Sequence, residues 1–91
     1  MGHINMFELG KVVTTTAVRE TEHQDDLLWA LSRHQSGDWG EVSEDDKRCN
    51  DDSVDGRGRL LSAFTLLSGN KVWCLTEWDR SCTTILYPSE W

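Results

Sequence analysis

The sequence predicts an α+β fold of order β-α-α-β-β-β, in which an antiparallel sheet, chiefly a C-terminal three-stranded meander, carries helices on one face. Three observations predict it. The strand-like runs RLLSAFTLL, KVWCLTEW and SCTTILY close the chain and are separated by short turns. A central segment repeats apolar residues at helical spacing. A β-branched run, KVVTTTAV, precedes both. At 91 residues the chain suits one domain, because a domain of this size buries only about 60 to 65% of its unfolded surface. That domain is expected over residues 6–91, and residues 1–5, MGHIN, read as a tag or extension, which discounts His3.

The first strand is expected within residues 7–18, opened by Gly10. Thr21 followed by Gln24 has capping-box spacing and predicts a helix over 22–35. Helical steps put Leu27, Leu28 and Leu31 on one face with Ala30 and His34 at its edge, and Trp29 opposite, beside Asp25, Ser32 and Arg33. Gly37 suits the closing turn. Ser43 then opens a second helix running to Val54, with Glu44, Asp45 and Asp46 in the first turn, where carboxylates interact favourably with the helix N-terminus. Its apolar face is thin, with Cys49 and Val54 and, ahead of the cap, Val42.

Turns at Gly69-Asn70 and Asp79-Arg80 suit tight hairpins and set a register. Leu66 is expected opposite Trp73, Phe64 opposite Leu75, Val72 opposite Tyr87 and Cys74 opposite Ile85. Leu60, Phe64, Leu66, Trp73, Leu75 and Leu86 would then share one face, and Leu61, Leu67, Val72, Cys74, Trp78, Ile85 and Tyr87 the other. A sheet with two apolar faces needs two covers, which predicts self-association through a sheet face, as a homodimer.

The net charge of −7 is concentrated: residues 38 to 55 hold eight acids against Lys47 and Arg48. Such a surface repels phosphates, so direct nucleic-acid binding is not expected. The chain has neither a run of about 20 apolar residues nor the apolar core of a signal peptide, so a cytoplasmic protein with no membrane contact is expected. Cys49, Cys74 and Cys82, without C-x-x-C spacing or a histidine at zinc-ligand distance, read as reduced thiols, and no metal or cofactor is expected.

Chemistry-bearing residues fall into four groups. His34, Asp38 and Glu41, in RHQSGDWGEV, could form a hydrolytic or metal-dependent site, although a histidine in a helix's last turn and an aspartate after a glycine turn both have structural uses. DDSVDG, Asp51 to Gly56, copies the start of a calcium loop but places Ser62 where a bidentate glutamate is required. Glu77, Trp78, Asp79 and Arg80 form a charged hairpin tip that could recognise a partner, Arg80 offering a planar fork. The acidic helix could imitate a nucleic-acid backbone and so inhibit a nucleic-acid-binding protein, but Lys47 and Arg48 lie within pairing distance of its acids. Trp29, facing outward, and Trp39, either a plug at the helix corner or the wall of a pocket beside His34, complete the binding candidates.

The pieces RH-x-x-GDWG and TE-x-DR-x-x-TTIL-x-P, with GRLLSAFTL between them, resemble a family of short bacterial proteins usually labelled hypothetical or plasmid-related. The resemblance runs from Met6 almost to the end. It implies a gene carried on mobile DNA, such as a plasmid or gene cassette, and brings no established activity with it. The matching positions are Arg33, His34, Gly37, Asp38, Trp39 and Gly40, then Arg59 and Ser62, then Trp73, Thr76, Glu77, Asp79, Arg80, Thr83, Thr84 and Pro88. Trp78, where the family has a small residue, and Trp91, where it has tyrosine, depart from the pattern. Together these readings favour a non-enzymatic binding protein acting through contacts with an unknown protein partner, by the sheet face, Trp29 or the hairpin tip.

Overall fold

The computed structural model describes residues 5–56 and 58–91; His3 and most of the expected extension lie outside them, as does Arg57, which follows Gly56 in the calcium-loop reading. The fold is α+β. Strand β1 (Lys11–Thr14) leads into three helices, α1 (Thr16–Thr21), α2 (Gln24–Gln35) and α3 (Glu44–Ser53). Strands β2 (Leu60–Thr65), β3 (Lys71–Thr76) and β4 (Cys82–Leu86) follow, and a 3-10 turn, Pro88–Glu90, ends the chain. The sheet order is β1-β4-β3-β2. It is mixed rather than purely antiparallel, because β1 runs parallel to β4, with Val12 opposite Thr83.

The β-branched run is shorter as a strand than its composition suggests. Thr15 stops it by turning its hydroxyl onto the Val18 amide and capping α1, whose Val18 is fully buried. The Thr21–Gln24 capping box does not form. Thr21 closes α1, Glu22 is extended, and the imidazole Nδ1 of His23 accepts from the Asp25 amide to start α2. Glu22 is held there by its carboxylate, which accepts from Ser68 Oγ at 2.7 Å, Asn70 Nδ2 at 2.8 Å and Tyr87 Oη at 2.5 Å. Ser43 caps α3 as its sequence indicates.

The second hairpin keeps the expected register, Cys74 facing Ile85 and Trp73 facing Leu86. The first does not: Phe64 faces Val72 and Ser62 faces Cys74. The loop there is Leu67-Ser68-Gly69, closed by the Leu66 amide on the Asn70 carbonyl at 2.9 Å, with Gly69 at φ +91°. A three-residue loop ending in a left-handed glycine replaces the two-residue turn. The register therefore moves by an odd number of positions, and an odd shift turns a strand over. Leu60, Phe64 and Leu66 join Val72, Cys74 and Ile85 under the helices, where Val18, Leu27 and Ala30 pack on most of them. Leu61, by the same shift, joins Trp73, Leu75 and Leu86 on the other face. That second face is covered by the 3-10 turn and Trp91, whose ring meets Trp73 edge-on at 6.3 Å.

The outer edge of β2 is closed rather than left as a template for pairing. The Asn50 amide side chain donates to the Leu61 carbonyl and accepts from its amide, at 2.8 and 3.2 Å. Ala63 donates to the Trp39 carbonyl and accepts from the Glu41 amide, and the Glu41 carboxylate accepts from the Thr65 amide. This close approach needs Gly40 at φ +72°, since a Cβ there would lie 2.1 Å from the Ala63 carbonyl oxygen. Gly40→Ala is expected to cost more than about 3 kcal/mol, combining left-handed strain with displacement of backbone. Gly69→Ala, with open space around it, should cost only about 1 kcal/mol. Urea titration of the two variants gives the comparison, and equal losses would refute the edge-closure argument.

Candidate functional site

His34 emerges from α2 into the deepest part of the molecule and is fully buried. Its Nδ1 lies 2.5 Å from Ser62 Oγ and its Nε2 lies 2.8 Å from Thr76 Oγ1. Thr76 Oγ1 is 2.7 Å from Thr83 Oγ1, which donates to the Leu9 carbonyl at 2.7 Å. All three hydroxyl residues are as inaccessible as the histidine.

The carbonyl at the end fixes the protons as far as Nε2, and burial, by disfavouring the imidazolium, leaves Nδ1 free to accept. Because Thr83 must donate to Leu9, it accepts from Thr76; Thr76 then accepts from His34 Nε2–H, and Nδ1 accepts from the Ser62 hydroxyl. The imidazole is therefore the neutral Nε2–H tautomer. Phe7 and Trp39 enclose it edge-on, at 5.1 and 5.7 Å between centroids, and stack on each other at 6.0 Å. Burial in this apolar shell, with the positive charge of Arg80 as a second cause, pushes the His34 pKa down to about 3. A Ser–His pair at hydrogen-bond distance is the beginning of a nucleophilic site, but Ser62 and His34 are wholly enclosed and no substrate atom can approach either.

The expected partners of His34 lie elsewhere. Asp38 turns to Arg33, with Oδ2 2.6 Å from Nε and 2.5 Å from Nη2, and its Oδ1 accepts from the Gly40 amide. Glu41 binds Thr65 and Lys71; the Thr65 hydroxyl is the chief reason its carboxyl lies below the usual range. The three residues of the proposed hydrolytic or metal site thus serve three separate contacts. Among the described residues no cluster of metal-ligating side chains exists. The calcium-loop reading fails for a local reason: Asp51, Asp52 and Ser53 are the last turn of α3. The Cys74 thiol, pushed up to about 12 by burial, is unreactive, while Cys49 is exposed and Cys82 half-buried.

Trp39 is the plug of the helix corner. It is 4% exposed, and its indole N–H donates to Asp51 Oδ1 at 2.9 Å. At the hairpin tip, the Ser81 hydroxyl and then the Ser81 amide, which donates to Asp79 Oδ1, hold the Asp79 carboxyl below its usual range, and Glu77 pairs with Arg59 at 3.3 Å. Arg80, at φ +60°, turns its fork inward: Nη1 donates to the Gly58, Glu77 and Trp78 carbonyls and Nη2 to the Ser53 carbonyl. It thereby supplies the cation that the last turn of α3 lacks. Of the hairpin-tip residues, Trp78 stays half-exposed.

Sequence reasoning assigned Ser62, Thr76, Thr83 and Asn50 no role in the interior. The available signal was a small polar residue breaking each apolar strand, in LLSAF, VWCLT and TTIL. Many positions on which the family resemblance rests, Arg33, His34, Asp38, Trp39, Gly40, Ser62, Thr76, Arg80 and Thr83, are engaged in hydrogen bonds within the chain. The acidic helix also pairs internally, Glu44 with Lys47 and Asp45 with Arg48, which reduces its likeness to a strand of phosphates.

The pKa of His34 makes stability depend on pH. The unfolded chain has an ordinary imidazole and takes a proton near pH 6.5, whereas the folded chain refuses it until about pH 3. The contribution is therefore complete above pH 6.5 and declines as pH falls, by about 1.4 kcal/mol per pH unit. His34→Gln keeps a donor and an acceptor without titrating. It should lower stability at pH 7 by about 2 to 3 kcal/mol and flatten the loss between about pH 6.5 and 5, before ordinary carboxylates titrate. Equal slopes in parent and variant, measured by urea unfolding, would contradict the buried neutral histidine.

Compared with family models, curated proteins and solved structures, the chain matches none.

Proposed function

We propose that this chain is a non-enzymatic binding protein of the bacterial cytoplasm, encoded on a mobile genetic element and acting through protein contacts. The observation that carries the reading is a division of labour among side chains. His34, Asp38, Glu41 and Arg80, the groups that the sequence singles out for chemistry or charge recognition, are engaged in internal bonds, while Trp29, Leu67, Trp78 and Trp91 remain 44%, 94%, 52% and 66% exposed. Large exposed aromatic and aliphatic groups suit a contact surface. The mobile-element origin rests on the RH-x-x-GDWG and TE-x-DR-x-x-TTIL-x-P resemblance.

Self-association belongs to this proposal. The second sheet face carries Leu61, Trp73 and Leu75 around a cavity of about 140 Å³ closed by Trp91, and the Arg59 guanidinium lies 5.7 Å from the Trp91 ring centre. A short 3-10 turn is a thin cover for a sheet face, and a second copy would complete it. Size-exclusion chromatography with light scattering at about 100 µM should give a dimer, and Trp91→Ser, which removes surface area without touching the helix-side core, should shift it toward monomer. A strictly monomeric parent protein overturns the self-association.

A further inference from the structure

The groove between α2 and the end of β2 is distinct from the second sheet face. Asp26 and Trp29, one turn apart on α2, form one wall, and Thr65, Leu66 and Leu67 form the other, around about 290 Å³. That lies at the lower limit of the roughly 300 to 1,000 Å³ of small-molecule sites and suits one or two side chains rather than a cofactor. The wall is held in place. Trp29 meets Phe64 edge-on at 5.6 Å, and the Arg33 guanidinium, itself fixed by Asp38, lies 4.7 Å from the Trp29 ring centre. At the rim, Leu67 is almost fully solvated.

The charge of the groove identifies its occupant. Asp26 is its one charged lining residue, half-buried, and no ion pair among the described residues uses it. Asp25 stands beside it in the first turn of α2. The nearby cations are already committed, Arg33 to Asp38 and Lys71 to Glu41, so a counter-charge for Asp26 must come with the occupant. A second copy is a weaker source of it: Lys47, Arg48 and Arg59 are paired and Arg80 is tied to backbone carbonyls within the chain, which leaves Lys11 and Arg19 as its unpaired cations among the described residues. A net charge of −7 moreover steers basic partners inward and repels acidic ones.

We infer that this groove seats a basic amphipathic segment of a different protein, with an apolar side chain between Trp29 and Leu67 and a lysine or arginine against Asp26. The inference rests on the binding-protein reading and names its partner's chemistry. The probe is a fluorescently labelled synthetic helical peptide of leucines and lysines, titrated with the full chain and followed by anisotropy. A peptide of the same length with glutamates for lysines serves as the control. Asp26→Asn and Leu67→Ser each alter solvent-facing atoms and should weaken binding of the basic peptide roughly tenfold, with far-UV circular dichroism unchanged. Raising salt from about 50 to 500 mM should weaken it further.

No binding of the basic peptide, equal binding of the acidic one, or unaltered affinity in both variants overturns the groove assignment. So does loss of dimer in Leu67→Ser by light scattering, which would make the occupant a second copy. Failure of these titrations while the parent protein still dimerises through Trp91 separates the failure of the groove from failure of the binding-protein reading.

Discussion

One unbroken hydrogen-bond chain, Ser62 to His34 to Thr76 to Thr83 to the Leu9 carbonyl, sets the terms for the rest of the fold. It joins β2, α2, β3, β4 and the segment before β1, and each of its side chains is withdrawn from water. A buried polar group without a partner costs about 1 to 3 kcal/mol, so the chain tolerates only arrangements that satisfy all its members. That requirement selects the register of the first hairpin. With the register that a two-residue Gly69-Asn70 turn would impose, Ser62 would share a face with Glu77 rather than Thr76. One imidazole could not then reach both hydroxyls. The observed three-residue loop puts Ser62 and Thr76 on the same face, and His34 bridges them.

The same economy governs the periphery. Asn50 of a highly acidic helix is buried because it substitutes for a neighbouring strand along β2. Arg80, which looks from its sequence setting like a recognition group, instead holds the carbonyls that end α3 and the loop beyond it. Its charge reaches His34 as the second cause of that residue's low pKa. These polar residues are thus absorbed into support, while Trp29, Leu67, Trp78 and Trp91 stay exposed.

Much of the architecture was legible. The spacing of Leu27, Ala30 and His34 located the buried face of α2, although Leu28, placed with them, is 54% exposed. Ser43 located the start of α3, and the second hairpin followed from its turn. The parallel pairing of β1, the Thr15 cap that splits the β-branched run, and the first-hairpin register were not legible, because each is decided by a contact distant in sequence. The candidate site was legible only in part. His34 stood out as a histidine on an apolar edge and Trp39 as a corner plug, but a serine or threonine in a strand carries no sign of which buried group it will meet. Asp38 and Glu41 misled because nearness in sequence is a poor guide to where side chains of a loop point.

The central claim, that a neutral Nε2–H imidazole holds the interior together, is tested most directly by nitrogen-15 NMR of the histidine rings across about pH 4 to 8. His34 is expected to show one protonated and one unprotonated nitrogen, Nε2 and Nδ1 respectively, with shifts that do not change across that range. A His34 ring that titrates near pH 6.5, or that carries its proton on Nδ1, would contradict the chain of donors from Ser62 to Leu9.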